Sequence, residues 1–130
     1  MTLGEIYRLA DARGYNIWYF PFRVIRSMST PQGDIAMNTD KLEDEAGELC
    51  DLAHEIGHIE TGSFYPLNAD GAVVRKAEAV ADRCAVRMLI EKDRLDRFAR
   101  NGYVTPWQVA EQFGVTVDLA EKAIRYYASR

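Results

Sequence analysis

His54-Glu55-Ile56-Gly57-His58 is an H-E-x-x-H pattern inside a segment whose apolar spacing reads as helix. On a helix, positions i and i+4 lie one above the other on the same face. Two imidazoles so placed can reach one metal ion, and Glu55 then sits beside the site of an attacking water. Both histidines of the chain fall in this pattern.

Two ligands do not complete a catalytic zinc site, which takes three protein ligands and leaves a fourth position open. Glu78 lies twenty residues beyond His58, and Asp82 four residues after it, in Glu78-Ala79-Val80-Ala81-Asp82. That stretch also reads as helix, so the two carboxylates share a face. Glu78 can complete a His/His/Glu set for one Zn2+. Asp82 can accept the second ring proton of a ligand histidine, which fixes its tautomer and strengthens it as a ligand. Glu60 is the rival third ligand, but it lies two residues past His58, about 200° around the helix, and should point away. The competing reading is a solvated acidic face beside two ordinary histidines; the helical context on both segments weighs against it. A helix with two histidines followed by one with E-x-x-x-D resembles the arrangement of gluzincin metallopeptidases.

With 130 residues, 48% hydrophobic and 28% charged, the chain fits one ordinary globular domain spanning 1–130. Residues 1–92 read as a zincin-like core and 93–130 as a C-terminal helical subregion. The N-terminus lacks a basic stretch followed by an apolar one, and no apolar run approaches the roughly 20 residues of a membrane span. A cytoplasmic location is therefore expected, with no membrane partner and with Cys50 and Cys84 reduced. Cys50, four residues before His54, is either close to the metal or a small buried apolar residue. The net charge of −4 speaks against electrostatic binding of nucleic acid.

Working outward, the expected fold class is α+β. Thr2 and Glu5 form a capping box for a helix over about 3–12, stopped at Gly14. Tyr15 to Phe20, aromatic and β-branched, suits a strand that Phe22 to Ile25 extends or pairs with. Ser27 to Gly33 reads as loop and Asp34 to Asn38 as a second strand. The expectation is a small antiparallel sheet of two or three strands packed on the motif helices. Asp40, with Glu43 three residues on, caps the histidine helix, which stops at Gly62. Gly57 inside that helix costs about 1 kcal/mol in propensity; either the sheet or a substrate approaches closely there, or the glycine is simply tolerated. Residues 63 to 71 form a loop, and the Glu78 helix runs from about 73 to 90.

The last third is helical with one turn. Thr105-Pro106 caps one helix, whose Trp107, Ala110 and Phe113 should face inward; Gly114 breaks it, and Thr116 caps the last, through Tyr127. The pair resembles a helix-turn-helix. As a DNA reader it would present Asp118, Glu121 and Lys122 to the bases, and residues 91–130 hold seven Lys/Arg against six Asp/Glu, so no basic stripe emerges. A structural or protein-docking role is the expectation, with DNA binding through 105–127 the lesser alternative.

These motifs resemble the ImmA/IrrE family of metallo-endopeptidases, found in bacteria and on phages and other mobile elements. The resemblance rests on Leu52 to His58, Thr61 to Tyr65, Ala77 to Asp82 and the preceding Ile35 to Asn38, and covers about residues 3 to 92. It implies a reduced gluzincin-like fold and zinc held by His54, His58 and Glu78. It also implies hydrolysis or capture of a helix-turn-helix repressor encoded nearby, and so a part in transcription regulation.

Glu55 is the expected general base. Ile35, Ala36, Met37 and Asn38, as an edge strand, would bind an extended peptide by strand addition. Tyr65 and Arg75 are candidate oxyanion stabilisers, since no histidine remains for that task. The missing His motivates the alternative: a zinc-containing, non-proteolytic module that binds and inactivates its repressor.

Overall fold

The computed structural model describes residues 1–129. Helix α1 (Leu3–Ala12) starts from the expected capping box: Glu5 N–H donates to Thr2 Oγ1, and Thr2 N–H to Glu5 Oε1. It buries Ile6 and Ala10 in the core. Strands β1 (Asn16–Phe20), β2 (Ser27–Ser29) and β3 (Asp34–Asn38) follow, then a 3-10 turn over Thr39–Lys41. The motif helices are α2 (Glu45–Thr61) and α3 (Gly71–Leu89); α4 (Lys92–Ala99), α5 (Pro106–Phe113) and α6 (Val117–Ala128) complete the described residues. The fold is α+β, six helices with one small sheet.

The sheet corrects the antiparallel expectation. Its order is β1-β3-β2, with β1 parallel to β3 and β2 antiparallel to it. Strand β2 forms inside the segment expected as loop because both its flanks bond to β3. Asn38 N–H donates to Arg26 O, and Thr30 N–H to Asp34 O, each at 2.9 Å. Ile35, Ala36, Met37 and Asn38 are therefore the centre of the sheet, not an edge. Ile35 and Met37 are fully buried, and β3 has a paired strand on each side. No peptide can add there. The site-facing free edge belongs to β2, where the antiparallel alternation leaves the N–H and C=O of Ser27 and Ser29 unpaired by β3.

Asn38 has a second task. Its Nδ2 donates to Phe22 O and Ile25 O, both at 2.8 Å, while its Oδ1 accepts from Phe22 N–H and Asp40 N–H. Residues 22–25 are thus an irregular segment gripped by one buried amide rather than a strand extension. Asn38→Ala leaves four backbone groups without that partner. Water can reach part of this segment, so a loss of about 2–3 kcal/mol in urea denaturation is expected.

Helix α2 is capped by Asp44, whose Oδ1 accepts from Gly47 N–H at 2.8 Å. Asp40, the expected cap, lies instead within the 3-10 turn, which Asn38 caps. Asp70 caps α3 two residues earlier than expected, accepting from Val73 N–H. The two motif helices cross tightly at Gly57, where a Cβ would stand 2.6 Å from the carbonyl oxygen of Ala81. Glycine is needed for the approach of α3, not of the sheet or a substrate.

Helix α5 carries a capping box of Thr105 and Gln108, with Pro106 in its first turn, and ends at Gly114 (φ 67°). Thr116 caps α6 by accepting from Leu119 N–H. The inward face of α5 is Val109, Ala110 and Phe113, whereas Trp107 is 72% exposed. Trp107 lies about 200° around the helix from Val109 and cannot share its face. One apolar core runs from Ile6, Ile35 and Ile56 through Val86 to Val109 and Ala120, joining α5 and α6 to the motif helices. Among the described residues, no helix is long and apolar enough to cross a membrane.

Candidate metal centre

Helix α2 presents His54 and His58 one turn apart, and α3 brings Glu78 across from them; one donor atom from each lies within 4.8 Å of the others. The two Nε2 atoms are 3.1 Å apart. Glu78 Oε2 is 2.5 Å from Nε2 of His58 and 3.5 Å from that of His54.

The opposite ring nitrogens decide what these atoms are. His54 Nδ1 is 2.8 Å from Asp82 Oδ1, and His58 Nδ1 is 2.6 Å from the Ser63 carbonyl. Both partners are acceptors, so each neutral ring carries its proton on Nδ1 and a lone pair on Nε2. Glu78 Oε2 is buried and makes no hydrogen bond, although His58 Nε2 lies 2.5 Å away. Three lone pairs then face one another. One proton relieves a single pair of them; a divalent cation relieves all three. Tetrahedral ligands ~2.0–2.2 Å from zinc lie about 3.3–3.6 Å apart; the 3.1 and 3.5 Å separations are close to that spacing, while Glu78 Oε2, 2.5 Å from His58 Nε2, must draw back by about 1 Å to admit the ion. Two imidazoles and one carboxylate suit zinc among common metals.

Local sequence explains the outer contacts. Gly62, in the left-handed conformation (φ 65°), turns the chain at the end of α2 so that the Ser63 carbonyl folds back onto His58. The Phe64 ring covers the same imidazole, with centroids 5.8 Å apart. On the other side Asp82 holds His54 through Oδ1 and receives Lys122 Nζ of α6 on Oδ2, at 3.1 Å. Burial alone would lower the His54 pKa, but the Asp82 hydrogen bond and the charges of Glu55, Asp82 and Glu78 raise it above its ordinary value. Burial likewise works to raise that of Asp82; its bond from His54, with the nearby Lys122, brings it below the usual carboxylate range.

Glu55 is 4% exposed and its carboxylate is held from β2: Ser27 Oγ donates to Oε2 and Ser29 Oγ to Oε1, each at 2.7 Å. Each oxygen keeps a further lone pair for a proton. A cleft of about 1060 Å³ opens over Glu55 and the three candidate ligands, with β2 along one wall.

The structure sorts the remaining candidates. Tyr65 lines the cleft, and burial together with the charges of Glu78 and Glu55 raises its pKa, so its hydroxyl remains a donor. Arg75 does not line it: the side chain is exposed on α3 and lies against Gly71. Glu60 pairs with Arg13 and accepts from Tyr15, turned away from the histidines as its helical position requires. Cys50 borders the cleft, but its sulfur accepts from Thr116 N–H and burial pushes the thiol up, so it stays neutral. Lys122 and Asp118, weighed as base-facing residues, pair with each other, and Lys122 also with Asp82. Sequence reasoning missed Ser27, Ser29, Ser63 and the Lys122 contact. Only the Ser-x-Ser alternation held a signal, and it required knowing that β2 is a strand.

No protein-family model matches the chain, and no curated protein matches it. Among solved structures it is similar to the metallopeptidase zymogen abylysin of Pyrococcus abyssi. The identity is 16% and the TM-score 0.38, over 78% of this chain and 98% of that one.

Proposed function

We propose that this protein is a zinc-dependent endopeptidase of the ImmA/IrrE kind that cuts a helix-turn-helix repressor. The observation that carries this reading is the convergence of His54, His58 and Glu78, one donor atom of each within 4.8 Å of the others, in the cleft that also holds Glu55. A divalent ion bound there supplies Lewis-acid polarisation of the scissile carbonyl and makes an attacking water more acidic. Glu55, held at both oxygens by serine hydroxyls, takes the proton of that water and passes it to the leaving amine. Tyr65 donates to the carbonyl oxygen as charge develops on it.

The substrate strand lies along the free edge of β2, antiparallel pairing being available to Ser27 and Ser29. Val24, Ile25, Met28 and Leu67 are exposed around the same cleft, so large apolar side chains flank the bond that is cut. A second reading has its own support. Both Glu55 oxygens already have donors, as in a site that holds metal and captures its partner without cutting.

Zinc-loaded protein incubated with the repressor of a neighbouring gene is expected to give two fragments from one cut, by intact-mass spectrometry. A chelator should abolish them. A stable complex of uncut partner would establish the second reading instead.

A further inference from the structure

We infer that Lys122 is a positioning residue of the metal centre, so that α6 forms part of the machinery that holds the ion; this rests on the zinc reading above. Asp82 is divided between two partners, with Oδ1 on His54 Nδ1 at 2.8 Å and Oδ2 on Lys122 Nζ at 3.1 Å. Lys122 also reaches Asp118 Oδ2 at 3.1 Å, one turn earlier on α6. A continuous path thus runs from Asp118 through Lys122 and Asp82 to His54, crossing from α6 to α3 to α2.

An ordinary exposed lysine pair contributes little, because water screens it and the side chain loses rotamer freedom. This lysine differs in place. Lys122, Asp82 and His54 are all partly buried, and α6 packs directly on α3. Lys122 is also the cation between two carboxylates on facing helices. Without it Asp82 and Asp118 repel across the α3–α6 contact, and Asp82 Oδ2 loses the bond that fixes its rotamer. The His54 ring then loses the acceptor that aims its Nε2 at the ion. Residues that bond a ligand directly, as Asp82 bonds His54, act on affinity with losses of about 10–100-fold on substitution; Lys122 stands one step further out and acts through Asp82, at the low end of that range.

The test is zinc affinity, read by competition with a chromophoric chelator on the full chain. Lys122→Met is expected to bind about tenfold more weakly than wild type. Lys122→Arg, which keeps the charge, should recover most of the affinity. In cobalt(II)-loaded protein the visible bands should shift with Lys122→Met and return with Lys122→Arg. Thermal melts of the metal-free proteins report separately on packing. Unchanged affinity and unchanged bands in Lys122→Met, with or without a lower melting temperature, overturn the inference while zinc binding stands. Should wild type itself take up no zinc, the underlying reading fails and this one with it.

Discussion

Replacing Glu55 with Gln is expected to slow peptide cleavage by about 10²–10⁴-fold while zinc content stays unchanged. The substitution preserves shape and removes the proton acceptor. Ser27 and Ser29 each donate to one carboxylate oxygen at 2.7 Å, and a serine hydroxyl can turn to accept from the new amide as readily as it donates to the remaining oxygen. No buried polar group is therefore stranded, and the variant should fold. The bonds of His54 to Asp82 and of His58 to the Ser63 carbonyl do not involve Glu55, and Glu78 stands on the other helix. Loss of cleavage with retained metal would separate proton transfer from metal binding. Full activity in the variant would remove Glu55 from the reaction and point to capture without hydrolysis.

How much of this was visible in the sequence depends on the range of each interaction. The His54–His58 and Glu78–Asp82 spacings are properties of single helices, so the candidate ligand set and a bond from Asp82 to one of the histidines could be read before the fold was known; that the histidine is His54 needed the packing of α3 on α2. Helix caps are almost as local, yet one went wrong. Asp40 with Glu43 and Asp44 with Gly47 both look like starts, and Asn38 decided between them by capping a 3-10 turn around Asp40.

Pairing in the sheet carried no local mark. Ser27-Met28-Ser29 has little strand propensity and becomes a strand only because β3 lies beside it. The same contact hid both the true free edge and the two serines that hold Glu55. Ile35 to Asn38 looked like an edge from their position before the motif helix, but burial on a strand does not tell how many partners it has. Lys122 was invisible for a different reason: it reaches Asp82 from forty residues away, and its helical spacing relates it only to Asp118.

The second large effect is expected at Gly57, where Ala should destabilise the metal-free protein even though it is the better helix former. Propensity favours Ala by about 1 kcal/mol in a helix interior. Against that, the added Cβ would stand 2.6 Å from the Ala81 carbonyl oxygen and 3.3 Å from Cys84 Cβ. The first neighbour is backbone inside α3 and cannot swing aside, so the two helices must part. Overpacking of a closed core costs about 1–3 kcal/mol, and a clash with backbone belongs at the upper end. The net loss for Gly57→Ala is then about 1–2 kcal/mol, and Gly57→Val should lose more. Gly4→Ala in α1 is the control: its nearest neighbour, the Arg8 guanidinium, lies at an ordinary 3.5 Å, so stability should hold or rise slightly. Urea denaturation of the three metal-free variants checks the order. The function-linked part follows from geometry, since His54 and His58 flank Gly57 on α2 while Glu78 stands on α3. Parting the helices withdraws the carboxylate from the imidazoles, and zinc affinity should fall along with stability. A Gly57→Ala protein as stable as wild type, with undiminished zinc affinity, would mean that the α2–α3 crossing has slack and that glycine there is merely tolerated.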